Sequence, residues 1–340
     1  MNIGLFYPSP IPYSADLLAH APLGGAETAV LRMAAALESL GQTVRIIRQA
    51  GELDSLADLD VLVLKRHAIL LEPPPGLQIY FWTPDDTDQP SFEPLRNDEY
   101  RAAFVGSVRR VLALSQYQAG RMQELGIPQQ ILFLTRNGID LSLFPDAART
   151  TRPLRCIYSS TPFRGLHVLL SLWPLIHQAM PTAELHVYSS MQVYQRPERK
   201  EFEDLYALAR RLPGVKYVGS VAQQRLASAL SEARLWLYPN TFAETSCISA
   251  MEAQAAGCAI VTSHAGALPE TAAGNVFVYG DPLSQDYLTT FLTHTIQLLR
   301  DQDWWQYLSQ RNRARAQLLD WREVAREWLL LFASGQRGDE

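Results

Sequence analysis

Two glutamates, Glu244 and Glu252, lie in a stretch that otherwise consists mostly of small and apolar side chains, Phe242 to Gly257. The run from Cys247 to Gly257 predicts a helix packed on most sides, because few of its residues are polar. A carboxylate buried in such a helix is costly unless a partner satisfies it. The pattern leaves two kinds of partner open: an arginine or lysine elsewhere in the chain, or the hydroxyl groups of a bound ligand.

The start of this helix offers hydrogen-bond donors. The backbone N–H groups of Ser246, Cys247 and Ile248 have no partner within the helix, and together they suit a phosphate group. Glu252 lies about two turns farther along, and its side chain leans back toward this end. The spacing therefore suits a ligand that carries an anionic group and a pair of neighbouring hydroxyls, and a buried ion pair explains the glutamate equally well.

Two glycine-containing turns also precede predicted helices. Gly24 and Gly25 come before a helix opened by Glu27, so the backbone can approach a diphosphate or an acceptor closely, although a tight packing turn explains them as well. Arg164 precedes Gly165, and a guanidinium binds two phosphate oxygens at once. A surface arginine that caps a loop is the alternative.

An acidic loop follows the predicted strand Ile79–Trp82. Asp85 or Asp86 could orient an acceptor hydroxyl or act as a weak base. A solvated loop held by turns of the Asx type fits the same residues.

The sequence predicts no metal site and no disulfide framework. Three cysteines are too few and too scattered for either. Aspartates separated by one residue, a pattern that can hold a divalent cation, occur three times without a suitable context, and we interpret them as structural: Asp58 and Asp60, Asp86 and Asp88, Asp301 and Asp303.

Composition indicates a soluble globular protein. Hydrophobic residues make up 47% and charged residues 19% of the 340 residues, and the net charge of −5 falls within the first 150. A general nucleic-acid binder would carry a basic excess. With no signal peptide or membrane span in the sequence, we expect a cytoplasmic protein, whose only membrane contact would be peripheral, through a patch such as Arg196, Arg199 and Lys200.

Short β-rich runs alternate with helical stretches in both halves of the chain, which predicts parallel sheets with helices on both faces. A turn-rich segment around 145–153 separates the halves. We predict an α/β chain of two doubly wound, Rossmann-like domains, 1–145 and 151–305, followed by C-terminal helices, 306–340. Ligands bind such sheets beyond the carboxyl ends of the strands, where these motifs fall.

The ordered set of motifs resembles the retaining glycosyltransferases of GT-B fold, family 4 (glycosyl transferases group 1). Glu244 and Glu252, followed by the stretch from Gly257 to Ser263 and by Gly266 to Glu270, resemble the donor domain. Other segments resemble further parts of the family: the glycine-rich loop at 24–27, the interdomain hinge at 136–140, the phosphate-binding turn at 163–166, and the helix at 321–328 that crosses back to the N-terminal domain.

The resemblance implies a role for each matching residue. Glu252 would bind the ribose hydroxyls of a nucleotide diphosphate sugar, and Glu244 the hydroxyls of the sugar. The catalytic set would contain Glu244 and Arg164 by this resemblance, and Asp85 by its place in the acidic loop. The donor site would be lined by Gly25, Asn137, Arg164, Tyr188, Gly219, Val221, Glu244, Ser246, Cys247, Ile248 and Glu252.

The implied activity is transfer of a hexosyl or N-acetylhexosaminyl group (EC 2.4), without metal or cofactor, from a UDP- or GDP-sugar. The acceptor would be a glycan, a lipid-linked sugar or another hydroxyl compound, as in polysaccharide biosynthesis. The chain departs from the family pattern at Pro84, where many members have histidine, and upstream of Arg164, where a second basic residue is usual. Two alternatives therefore stay open: a non-catalytic sugar-nucleotide-binding protein and a GT-B sugar-nucleotide epimerase.

Overall fold

The computed structural model describes residues 1–144 and 151–334. Most of the predicted linker and residues 335–340 lie outside this range. By their contacts the residues form two compact units. Unit 1 contains residues 1–13, 25–138 and the chain from Leu319 onward, and unit 2 contains Ser14–Gly24 and Ile139–Leu318. The units are defined by contacts, and the domain boundaries stated above stay predictions.

Twelve strands lie in the described part of the chain. They are β1 Asn2–Phe6, β2 Thr43–Ile47, β3 Val61–Lys65, β4 Gln78–Trp82, β5 Arg110–Ala113, β6 Leu132–Leu134, β7 Arg155–Tyr158, β8 Glu184–Val187, β9 Val215–Tyr217, β10 Leu235–Tyr238, β11 Ala259–Ser263 and β12 Val276–Val278.

Twelve α-helices lie in the same described ranges. They are α1 Ala15–His20, α2 Gly25–Ser39, α3 Asp98–Ser107, α4 Gln116–Glu124, α5 Leu166–Ala179, α6 Lys200–Arg211, α7 Gln223–Glu232, α8 Ile248–Ala255, α9 Leu268–Thr271, α10 Gln285–Arg300, α11 Gln302–Ala316 and α12 Trp321–Ser334.

Unit 1 is built on a six-stranded parallel sheet in the order β2-β1-β3-β4-β5-β6. Every residue of β3 and β4 is buried, as expected of central parallel strands that helices cover on both faces. The order reverses between β1 and β3. The carboxyl ends of those two strands therefore form a switch point, where open α/β sheets bind ligands.

Unit 2 is built on a second six-stranded parallel sheet, in the order β12-β11-β10-β7-β8-β9. Numbered from β7, the six strands of this sheet follow the 3-2-1-4-5-6 order of dinucleotide-binding sheets. The order reverses between β7 and β10, both almost entirely buried. The loops that leave these two strands are the ones that carry Arg164 and Glu244.

Side-chain caps explain where several helices begin. Asn97 and Ser115 accept hydrogen bonds from the backbone at the starts of α3 and α4, and Ser284 and Asp301 do so for α10 and α11. Helix α5 instead begins after Gly165, which has a left-handed backbone with φ of 105°. The sequence predicts the starts of α3, α4, α5 and α10 to within a few residues, but it does not separate α11 from α10.

The structure departs from the sequence predictions in several elements. The sequence does not predict helices α1, α6 and α9 or the three-residue strand β12. The tail was predicted to be helical throughout from Gln285, but a 3-10 turn at Gln317–Leu319 separates α11 from α12. Strand β12 is hard to predict from the sequence, because three residues are too few to show a clear period-2 alternation.

Helix α12 belongs to unit 1, where it packs on α2 and against the sheet. The fully buried Trp328 ring lies edge to face on Trp82, with ring centres 5.0 Å apart, and its Nε1–H donates to the Thr135 hydroxyl at 2.9 Å. Arg136 forms two 2.8 Å hydrogen bonds to the Glu327 carboxylate. The C-terminal helix is thus an integral part of the core of unit 1.

In residues 1–144 and 151–334, no helix is long and apolar enough to cross a membrane.

Replacing Trp328 by alanine is expected to lower the free energy of unfolding by about 3–5 kcal/mol, because it removes a fully buried ring and leaves a cavity. Leu330→Ala on the same helix is the control, since Leu330 is 73% exposed and should cost no more than about 0.5 kcal/mol. Denaturant titration measures both. Equal losses in the two variants would contradict the assigned role of Trp328.

Candidate functional site

The loop after β7 brings Arg164 to the end of β10. Pro162 to Arg164 form a 3-10 turn, and Gly165 follows in the left-handed conformation. A Cβ at Gly165 would lie 2.0 Å from the carbonyl oxygen of Pro239. Only glycine therefore allows the loop after β7 to lie directly against the loop after β10.

Arg164 and Glu244 form an ion pair at this edge of the sheet. Arg164 Nη1 donates to Glu244 Oε1 at 2.6 Å, and the hydroxyl of Tyr238 donates to the same oxygen at 2.7 Å. Among the described residues no donor reaches Oε2. Of the two kinds of partner that the sequence left open for Glu244, the arginine is present.

Two aromatic rings hold the guanidinium of Arg164. Its central carbon lies 4.4 Å from the ring centre of Phe242 and 5.5 Å from that of Phe163, at distances typical of cation–π contacts. Burial opposes the charge, but the Glu244 carboxylate outweighs it and raises the pKa of Arg164 well above its usual range. Burial also raises the pKa of the Tyr238 hydroxyl, which therefore stays a proton donor to Glu244.

The loop after β11 supports Glu244 from the other side. Ala267 N–H donates to the Glu244 carbonyl oxygen at 2.6 Å. Gly266 has φ of 54°, and a Cβ there would lie 2.3 Å from that same oxygen. Three strand-to-helix loops therefore converge on one residue, Glu244.

The sequence predicts a helix from Cys247 to Gly257, and α8 runs from Ile248 to Ala255 with Cys247 at its N-cap. Cys247 makes no side-chain cap, and burial raises the pKa of its thiol well above the ordinary value. Glu252 lies on α8, is 5% exposed and accepts a 2.9 Å hydrogen bond from the Gln223 amide. The sequence reading did not anticipate an amide as partner of Glu252.

The predicted base-binding loops follow the next two strands. Tyr188 comes directly after β8, and Gly219, with φ of 82°, and Val221 lie between β9 and α7. The Tyr217 hydroxyl donates to the Ser189 carbonyl oxygen at 2.9 Å, which ties the ends of β8 and β9 together.

Several buried polar atoms at this edge of unit 2 have no hydrogen-bond partner among the described residues: Thr161 Oγ1, Arg164 Nε, Ser189 Oγ and Ser246 Oγ. Each comes from a loop that follows β7, β8 or β10. A buried donor or acceptor left unsatisfied costs about 1–3 kcal/mol, and native proteins keep few of them. Their positions along the carboxyl edge of the sheet mark a place where a polar ligand would supply the missing partners.

A second polar network lies at the switch point of unit 1. Arg66, directly after β3, binds both oxygens of Asp85, with Nε–Oδ2 2.9 Å and Nη2–Oδ1 3.0 Å. Its Nη1 also donates to the Tyr7 hydroxyl at 3.2 Å, and Tyr7 donates to Glu27 at 2.9 Å. Arg66 has φ of 68°, a left-handed backbone that costs a non-glycine residue energy and that is found disproportionately at functional sites.

Lys65 is the last residue of β3 and directly precedes Arg66. Its fully buried Nζ sits 3.0 Å from the centre of the Trp82 ring and has no hydrogen-bond acceptor among the described residues. Burial lowers the pKa of Lys65 well below the ordinary value, and Arg66 adds to that effect.

The predicted site residues thus fall into two groups. Those of unit 2 gather at the carboxyl edge of its sheet: Arg164, Tyr188, Gly219, Val221, Glu244, Ser246, Cys247, Ile248 and Glu252. Gly25, Asn137 and Asp85 belong to unit 1. Gly25 opens α2, and Asn137 is buried beside Gly138, where a Cβ would lie 2.7 Å from the Trp321 ring.

Sequence reasoning missed Tyr238, Gln223 and Arg66. Tyr238 and Arg66 lie at or just beyond the carboxyl end of a strand, and that position alone could have selected them. No feature of the sequence singles out Gln223. Among residues 1–144 and 151–334, no group of three His, Cys, Asp or Glu side chains could hold a metal ion.

Comparison with known proteins matches residues 156–301 to the family model described as glycosyl transferases group 1. No curated protein matches the chain significantly. The match covers most of unit 2, including the switch point between β7 and β10.

Solved structures of similar fold include sucrose-phosphate synthase from Thermosynechococcus elongatus, with 19% identity over 98% of both chains and a TM-score of 0.73. Anabaena HepE in complex with UDP-glucose shares 16% identity over 98% of this chain and 100% of that one, with a TM-score of 0.70. The catalytic domain of starch synthase IV from Arabidopsis thaliana, bound to ADP and acarbose, shares 11% over 98% of both, with a TM-score of 0.70. The likeness confirms the predicted GT-B fold class.

Gly165→Ala is expected to destabilise the protein by at least about 1–3 kcal/mol, because alanine is strained at positive φ and its Cβ would clash with Pro239. Gly106→Ala in α3, where a Cβ meets nothing within 4 Å, is the matched control and should be neutral or stabilising. Thermal or chemical unfolding compares the two. A neutral Gly165→Ala would show that the two loops do not require their close approach.

Proposed function

We propose that the chain is a retaining glycosyltransferase that moves a sugar from a nucleotide diphosphate donor to a hydroxyl acceptor. The observation that carries the proposal is the convergence of Arg164, Glu244 and several unsatisfied polar atoms at the switch point of unit 2. That point lies within the stretch that matches the glycosyl transferases group 1 model. The charged and polar groups of the site and the family match over the same stretch together support a donor site for a sugar nucleotide.

In this proposal the donor lies along the carboxyl edge of unit 2. Glu252 binds the ribose, the N–H groups at Ser246 to Ile248 bind the diphosphate, and Glu244 Oε2 accepts a sugar hydroxyl. Tyr188, Gly219 and Val221 contact the base. The family resemblance adds Gly25 and Asn137 as further donor-binding residues. A uridine donor is supported by the UDP-glucose complex of HepE, and GDP stays an alternative.

The reaction breaks the bond between the anomeric carbon and the diphosphate and forms a bond from that carbon to the acceptor oxygen on the same face. Negative charge develops on the leaving diphosphate, where Arg164 and the start of α8 would stabilise it. The acceptor proton passes to an oxygen of the leaving phosphate, so no strong protein base is required. Family resemblance supports a reaction without metal.

The acceptor would bind in residues 1–145, with Asp85 orienting its hydroxyl. A hexosyl or N-acetylhexosaminyl group, a glycan or lipid-linked acceptor of a polysaccharide pathway and a cytoplasmic location are the remaining parts of the proposal. They derive from the family resemblance alone.

Sugar nucleotides are expected to raise the melting temperature of the protein, since a ligand at 100 times its Kd adds about 2.7 kcal/mol of stability. We would test UDP-, GDP-, dTDP- and ADP-glucose against the wild type, Glu252→Ala and the surface control Glu232→Ala. Only Glu252→Ala should lose the response. If no sugar nucleotide raises the melting temperature of any of the three proteins, the donor-site assignment is wrong.

Turnover separates the proposal from its two rivals. Donor binding without transfer to any acceptor would favour a non-catalytic sugar-nucleotide-binding protein. Conversion of the donor to an isomer without acceptor would favour an epimerase.

Asp85→Asn is expected to lower the transfer rate by up to about 10²-fold, the cost of a misplaced reacting group, while the Kd for the donor stays the same. Asp88→Asn in the same loop, an exposed carboxylate, is the control and should keep its rate. Release of nucleoside diphosphate in the presence of an acceptor active with the wild type measures both. A rate within twofold of wild type for Asp85→Asn, about the precision of such an assay, would exclude that role.

A further inference from the structure

Arg164 and Glu244 form an ion pair, yet in the proposed donor site they bind different parts of the donor. Arg164 would bind the diphosphate, and Glu244 would bind the sugar. We propose that Glu244 makes this site discriminate a sugar nucleotide from the bare nucleoside diphosphate, by retaining Arg164 until sugar hydroxyls take its place. This inference rests on the proposed function, because it assumes that the donor binds at the switch point of unit 2. It identifies Glu244 as a specificity-determining residue for donor over product.

The first step is that Arg164 is already engaged. Its Nη1 donates to Glu244 Oε1 at 2.6 Å, and the side chain of Glu244 is almost wholly buried. The rings of Phe163 and Phe242 flank the guanidinium and restrict its movement. A diphosphate that binds Arg164 must therefore share it with the carboxylate or remove it.

The second step concerns charge. Arg164 is the only basic residue between Tyr158 and His167, and its pairing with Glu244 leaves the two side chains with no net charge. A bare nucleoside diphosphate carries a terminal phosphate with more negative charge than the phosphate that is esterified to a sugar. The neutral pair therefore gives the more highly charged product no net attraction, and the charge of Glu244 weakens the binding of the product more than that of the donor.

The third step is an exchange of partners. A buried carboxylate that loses a charged partner is strongly destabilised, and Tyr238 alone would remain as its donor. A sugar nucleotide supplies hydroxyl donors to Oε2, which no described residue occupies. Arg164 can then turn toward the diphosphate. The bare nucleotide has no sugar and offers no such replacement, so the ion pair resists it.

The test is calorimetric binding of UDP, GDP and ADP, each beside its glucose ester, to the wild type, Glu244→Gln and Glu232→Gln. Glutamine keeps the size of the side chain and removes its charge. Glu232 forms a comparable pair with Arg155, with Nη1–Oε2 2.8 Å, but it is more exposed and Arg155 opens β7 at the opposite edge of the sheet. Melting curves establish that each variant is folded.

For the nucleotide that the wild type binds, Glu244→Gln should bind the bare diphosphate about tenfold more tightly, a change of 1.4 kcal/mol. Its affinity for the glucose ester should be unchanged or weaker, so the preference for donor over product falls. Glu232→Gln should leave both affinities within about twofold of the wild type, since exposed pairs contribute little. Glu244→Ala should also bind the bare diphosphate more tightly than the wild type does.

Unchanged or weaker binding of the bare diphosphate by Glu244→Gln would overturn the inference and leave the donor site intact. If no nucleotide binds any of the proteins, the proposed function fails and the inference falls with it. Should the Glu244 variants not fold, crystal structures of the wild type decide: Arg164 should stay within about 3 Å of Glu244 with bare UDP and turn to the phosphates with UDP-glucose. An Arg164 in the same position in both would contradict the exchange.

Discussion

The arrangement of unit 2 depends on one buried carboxylate, Glu244, at the carboxyl edge of the sheet. Such a group is tolerated only if hydrogen bonds and an opposite charge compensate for its desolvation. Tyr238 and Arg164 supply them here. The loops after β7, β10 and β11 are all shaped by the need to bring those partners to one point.

The glycines of these loops follow from the same constraint. Gly165 and Gly266 both have positive φ, and in each a Cβ would collide with backbone of the loop that carries or precedes Glu244. A larger side chain at either glycine would push the loops apart and separate Arg164 from Glu244. The backbone of the site is therefore as specific as its charged groups.

Both units use the same device at the carboxyl edges of their sheets. Arg66 and Asp85 follow the adjacent parallel strands β3 and β4, just as Arg164 and Glu244 follow the adjacent strands β7 and β10. In each unit an arginine after one strand binds a carboxylate after its neighbour. Such pairs fix the loops that leave two neighbouring strands to each other.

The sequence by itself determined the alternation of strands and helices, the positions of Glu244 and Glu252 around the start of α8, and the location of the candidate residues on loops that follow strands. These depend on local patterns such as buried apolar runs, caps and turn residues. Tertiary structure alone decided the partners: Arg164 for Glu244, Gln223 for Glu252 and Arg66 for Asp85. Partners of this kind lie far apart in the chain and meet only because the order of the strands places their loops side by side, and no local pattern encodes that order.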